Sequence, residues 1–131
     1  MSSINPKEVR ILAIDDDDES RELLKAVLKR HGFTIIFTAA NARTALDFLR
    51  HGTEEIHLIL LDLDMPDMNG IAFLRALRAD ADEKIANLPV VVVTAHGSEK
   101  VEEGLRTLGI QGFVGKTRLA DELQPAILRA L

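Results

Sequence analysis

The sequence predicts an α/β chain built as a doubly wound, five-stranded parallel sheet with helices on both faces and strand order 2-1-3-4-5. Three observations carry this. Runs at 9–14, 58–61 and 90–93 are apolar almost throughout, the pattern of strands buried on both faces. Each is followed by a segment with apolar residues at helical spacing, and alternation of strand and helix implies a parallel sheet covered on both sides. Weaker strand runs at 33–38 and 111–114 suit the two edges, and right-handed crossovers leave few other orders.

The elements follow in order. Residues 9–14, Val-Arg-Ile-Leu-Ala-Ile, form the first strand, and five acids, Asp15 to Glu19, follow it. Leu23, Leu24, Val27 and Leu28 make one apolar helix face, and His31-Gly32 closes that helix. Residues 33–38 are β-branched and aromatic, hence the second strand. Asn41 caps a helix that turns Ala42, Ala45, Leu46 and Leu49 inward and ends at Gly52. The third strand, 58–61, leads through Asp62 and the loop-forming Met65-Pro66 to Asn69-Gly70. Its helix spans about 70–80 and is expected to bury Ile71, Leu74 and Leu77. A polar connection, 81–88, ends at Pro89, and four valines, 90–93, closed by Thr94, form the fourth strand. Ser98 caps a fourth helix with Val101, Leu105 and Leu108 inward, weakened by Gly104. Residues 111–114 are the fifth strand, ended by Lys116. The last helix buries Leu123, Ile127 and Leu128; Pro125 is accommodated if Asp121 is the cap, which puts the proline in the first turn. This arrangement is the flavodoxin-like fold.

Composition bounds the function. The 131 residues suit one domain, with 8–131 as its ordered core and no output domain expected within it. With 47% hydrophobic residues the chain can bury a sizeable core. The absence of cysteine excludes disulfides, thiolate metal sites and cysteine nucleophiles, and fits a cytoplasmic protein. There is no signal-peptide-like apolar run at the start and no stretch of membrane-span length. A net charge of −5, with no Trp or Tyr and five Phe, argues against a nucleic-acid partner.

In a parallel α/β sheet the residues just after each strand gather on one edge, where such folds place their sites. Here they are Asp15 and Asp16, Asp62, Thr94 and Lys116. Three carboxylates packed together repel, and some resist ionising. A divalent cation removes that conflict, and hard oxygen donors without His or Cys select Mg²⁺ (or Mn²⁺) over zinc. A cation, a lysine and a hydroxyl around one carboxylate suit phosphoryl chemistry, with the carboxylate as nucleophile.

Those marks together — Asp15-Asp16, Asp62-Leu-Asp-Met-Pro-Asp-Met-Asn-Gly70, Thr94-Ala95 and Lys116, each after a strand — resemble the bacterial response-regulator receiver family, close to its single-domain chemotaxis type. The resemblance spans nearly the whole chain. It implies that Asp62 accepts a phosphoryl group from a phosphohistidine on a sensor histidine kinase or histidine phosphotransfer protein. It also implies that Asp16 binds Mg²⁺ directly and Asp15 through water, with Asp62 and the backbone carbonyl of Asp64 completing the protein ligands. Lys116 would pair with phosphoryl oxygens, Thr94 would hydrogen-bond the new group, and Phe113 would turn inward behind Thr94. Such a domain is not a conventional enzyme, yet it catalyses its own phosphorylation and dephosphorylation. It signals to a downstream protein, unidentified by the sequence, through the fourth helix, fifth strand and fifth helix. The expected state is a monomer or weak dimer, without nucleic-acid or membrane binding.

The chain departs from the family pattern at several points. Thr117 stands where the family usually has proline after the lysine, and Phe113 lacks the hydroxyl of the commoner tyrosine. Asp64 and His96 occupy positions where the family tunes phosphoryl lifetime, and Gln111-Gly112 replaces an acidic pair that often precedes the aromatic in DNA-binding members. Plainer readings hold elsewhere. Asp17, Asp18 and Glu19 read as a solvated helix start, and His31, His51 and His57 as surface or capping residues. Phe113 serves equally as core. Three other functions compete. Asp62-Leu-Asp64 has the Asp-x-Asp form of haloacid-dehalogenase-like phosphatases, but the threonine or valine and the later acidic pair of those enzymes are missing. A degenerate receiver acting only as a binding module is the second, and the complete Asp, Thr and Lys positions argue against it. A flavodoxin proper would need a hydroxyl-rich phosphate loop after the first strand, where this chain has five acids.

Overall fold

The computed structural model describes residues 4–65, 69–95 and 97–131. Five strands, β1 (Arg10–Ile14), β2 (Ile35–Ala39), β3 (Leu58–Leu61), β4 (Val90–Thr94) and β5 (Gly112–Gly115), form one sheet in the order β2-β1-β3-β4-β5, with every pairing parallel. The helices are α1 (Asp18–Arg30), α2 (Ala42–His51), α3 (Gly70–Arg78), α4 (Glu83–Ala86), α5 (Glu99–Leu108) and α6 (Leu119–Ala130).

Alternate strand residues feed two separate cores, as the two-residue period of a strand dictates. Ile11, Ala13, Leu58, Leu60, Val91 and Val93 face α1 and α6. Leu12, Ile14, Ile59, Leu61, Val90 and Val92 face α2, α3 and α5. The apolar runs 11–14, 58–61 and 90–93 are thus explained: each side chain has a covered face to fill.

Local chemistry sets the ends. Asp17, Asn41, Asn69 and Ser98 cap α1, α2, α3 and α5, each accepting an N–H from the third residue on. The end of α1 is closed when the Phe33 N–H donates to the Leu28 carbonyl and the Gly32 N–H to that of Lys29, with Gly32 at φ +92°. Gly70 opens α3 against the end of β3: a Cβ there would lie 2.6 Å from the Asp62 carbonyl oxygen and 2.7 Å from Leu63 Cα.

Several expectations are corrected. Leu23, Ile71 and Leu128 are exposed rather than inward. Phe73 fills the place given to Ile71, because the inward stripe of α3 is Phe73, Leu74 and Leu77. The third helix stops at Arg78, and the connection after it holds the extra short helix α4, so the fourth and fifth helices of the sequence reading are α5 and α6. The last helix starts at Leu119 with Arg118 at its cap, not Asp121, and Pro125 is its seventh residue. That proline gives no N–H to the Asp121 carbonyl, and both residues are exposed, so water can solvate the carbonyl. Strand β2 begins at Ile35 because Phe33 is drawn into the closure of α1, and β5 runs one residue later than expected.

Candidate functional site

The carboxyl ends of β1, β3, β4 and β5 bring the expected residues to one edge. The ladder continues one step past β1 and β3: the Asp15 N–H donates to the Ala39 carbonyl (3.1 Å) and the Asp62 N–H to that of Ile14 (2.9 Å). Both acids are therefore held by the sheet, and both are buried, at 0% and 4% exposure. Asp16, the next residue along, is exposed. One carboxylate oxygen from each of Asp15, Asp16 and Asp62 lies within 4.8 Å of the other two.

Both carboxylate oxygens of Asp15 accept hydrogen bonds. Its Oδ1 accepts the Asp17 N–H (3.0 Å), and its Oδ2 accepts from Ser20 Oγ (2.6 Å) and from Lys116 Nζ (2.9 Å). Arg21 Nη1 donates to the Asp15 backbone carbonyl (2.7 Å). Lys116 Nζ also stands 3.7 Å from Asp62 Oδ1. Burial opposes the lysine's charge, but the Asp15 hydrogen bond and the charges of Asp15, Asp62 and Asp17 outweigh it and raise its pKa. For Asp62 the balance goes the other way. Burial, then the Asp15 charge, push its pKa up to about 6, against the lowering pull of Lys116 and of the Asp64 N–H. The edge thus holds more negative charge than one ammonium neutralises.

That surplus, with oxygen donors only, fits a divalent cation of the Mg²⁺ type. Thr94 ends β4, is 1% exposed, and sits in register with Gly115, the residue before Lys116. Phe113 is half-buried two residues earlier in β5. Asp64 is exposed, and its side chain stands outside the carboxylate cluster. His96 and residues 66–68 lie outside the described residues. Thr117 falls in a 3-10 turn, Lys116–Arg118, that leads into α6. A groove of about 890 Å³ opens between Val9, Ile56, Leu88 and Leu131, and none of the described site residues lines it.

Ser20 and Arg21 are additions that the sequence reading did not contain. Both sit in the first turn of α1 and fix Asp15, and the signal that could have found them is spacing. A residue five positions after a strand-end acid faces back over it once a helix begins at Asp18.

Comparison with known proteins agrees with this geometry. A family model described as "Response regulator receiver domain" matches residues 11–128. The chain is 35% identical over 119 residues to the "Chemotaxis protein CheY" of Pseudomonas aeruginosa, covering 91% of this chain and 93% of that one. It is 33% identical over 125 residues to "Chemotaxis protein CheY-3" of Vibrio cholerae, covering 95% and 92%. Among solved structures, Vibrio cholerae chemotaxis protein CheY4 superposes with a TM-score of 0.80 at 25% identity, over 94% of this chain and 98% of that one.

Proposed function

The chain belongs to the response regulator receiver family, and from that membership we propose that it is a phosphorylation-driven signalling switch whose phosphoacceptor is Asp62. The observation that carries the reading is the convergence of three carboxylates within 4.8 Å, with Lys116 reaching two of them.

In this reading an Asp62 carboxylate oxygen attacks the phosphorus of a phosphohistidine. The phosphorus–oxygen bond forms as the phosphorus–nitrogen bond breaks, and the electron pair stays on the imidazole, which leaves neutral with its proton on the other ring nitrogen. Asp16, Asp62 and the backbone carbonyl of Asp64, with Asp15 through water, would hold a Mg²⁺ (or Mn²⁺) ion, which would neutralise phosphoryl oxygens when bound. Lys116 donates to a phosphoryl oxygen; its Nζ already spans Asp15 and Asp62, so a small rotation redirects it. Thr94 donates its hydroxyl to another, and Phe113 follows Thr94 inward. Ser20 and Arg21 keep Asp15 in place throughout. Water attack on the same phosphorus returns Asp62 to its free state, and Asp64 and His96, by their positions in the sequence, are the residues proposed to set how fast.

The donor in this reading is a sensor histidine kinase or histidine phosphotransfer protein, and the output passes to another protein through α5, β5 and α6 in the cytoplasm. Among the described residues no helix is long and apolar enough to cross a membrane. Borohydride reduction of the labelled protein tests the acceptor, because it converts an aspartyl phosphate to homoserine. Homoserine at position 62 by peptide mass is the expected result; homoserine at another aspartate would overturn the assignment.

A further inference from the structure

We infer that Gly97 is a positioning residue for the switch: its missing side chain is the seat in which the Phe113 ring lies beside Thr94. A Cβ at position 97 would stand 2.4 Å from Phe113 Cε1 and 2.6 Å from Cζ, distances that packed carbon atoms do not adopt, and 3.3 Å from Thr94 Cγ2. The ring edge and the threonine methyl therefore crowd the same point.

Gly97 is exposed, so a side chain there would not have to enter the core. Gly104, one helix turn and more along, is the contrast: a Cβ there meets nothing within 4 Å. The ring cannot yield by moving its backbone, because Phe113 is locked in register with Val92 in the sheet. It can yield only by leaving the seat.

The consequence runs in two directions. Toward the site, the ring edge and the Thr94 methyl border the same point, so a ring displaced from it disturbs the surroundings of Thr94. Toward the surface, Gly97 immediately precedes Ser98, the cap of α5, and α5 has one buried residue, Leu105. The cap of a lightly anchored helix is thus the residue after the seat. In the phosphoacceptor reading Thr94 donates to the phosphoryl group, and Gly97 leaves the room that the Phe113 ring occupies beside it. The inference rests on the phosphoacceptor reading of Asp62.

The test uses the full chain labelled with ring-¹³C phenylalanine, which adds no bulk. Phe113 is assigned among the five phenylalanines by its loss in Phe113→Leu. Gly97→Ala should move the Phe113 ring resonances by more than a linewidth without any phosphate analogue present. It should also weaken Mg²⁺-dependent beryllofluoride binding by at least about five-fold. In the Phe113→Leu background the same substitution should change that affinity by less than about two-fold, because the clash is gone. Unmoved resonances, or an affinity loss that persists without the ring, would overturn the seat. If the wild-type chain binds no beryllofluoride, the Asp62 reading fails, and the ring resonances alone then decide the position of Phe113.

Discussion

Lys116 Nζ lies 2.9 Å from Asp15 Oδ2 and 3.7 Å from Asp62 Oδ1, so the ammonium at the carboxylate cluster is committed first to Asp15 and not to the proposed phosphoacceptor. Replacing it by methionine leaves two buried carboxylates facing each other. The expected cost is about 2 kcal/mol, below the range for a fully buried pair because the lysine side chain is 22% exposed. Urea unfolding without metal measures it, and saturating Mg²⁺ should return most of the loss.

The pKa of Asp62 fixes a pH dependence. Its folded value is raised to about 6, above the ordinary 3.8. Between those values the folded state binds more protons than the unfolded chain, so the Asp62 contribution to stability falls as pH rises from about 4 to about 6 and is flat above. Unfolding midpoints of wild type and Asp62→Asn across that window, without metal, isolate the effect. The asparagine variant should lack this slope and be the more stable of the two at pH 7.5, by on the order of 2 kcal/mol.

Ser20→Ala removes the 2.6 Å hydrogen bond that orients Asp15 Oδ2. Mg²⁺ affinity should fall by about ten-fold while the fold loses only about 1 kcal/mol. Calorimetric titration with Mg²⁺ alongside thermal melting separates the two.

Arg78 braces the far side of the molecule. Its guanidinium donates to the carbonyls of Ala86, Leu88 and Gly109, and burial lowers its pKa. Arg78→Leu leaves those acceptors unmet and should cost about 3 kcal/mol in urea unfolding. Phosphoryl labelling of the folded variant should be unchanged, since Arg78 touches none of the edge residues.

How much of this was legible follows from what each residue answers to. The three central strands were readable because burial on both faces leaves no room for polar residues, and the strand-end acids were readable because a parallel sheet must gather them. The caps Asn41 and Ser98 are local chemistry and were legible too. Leu23, Ile71 and Leu128 misled because helical spacing gives a stripe but not its width. Pro125 misled because its tolerance depends on the exposure of Asp121, a tertiary fact. Ser20, Arg21 and Gly97 belong to no motif; their roles exist only once α1 and the loop before α5 are placed against the edge.

The most direct test of the central claim is intact-protein mass after incubation with acetyl phosphate, with and without Mg²⁺, for wild type and Asp62→Asn. One added phosphoryl group that needs Mg²⁺ and is absent from the variant is the predicted result. The same mass gain in Asp62→Asn, or a gain indifferent to Mg²⁺, would contradict the assignment of Asp62 and of the acidic cluster around it.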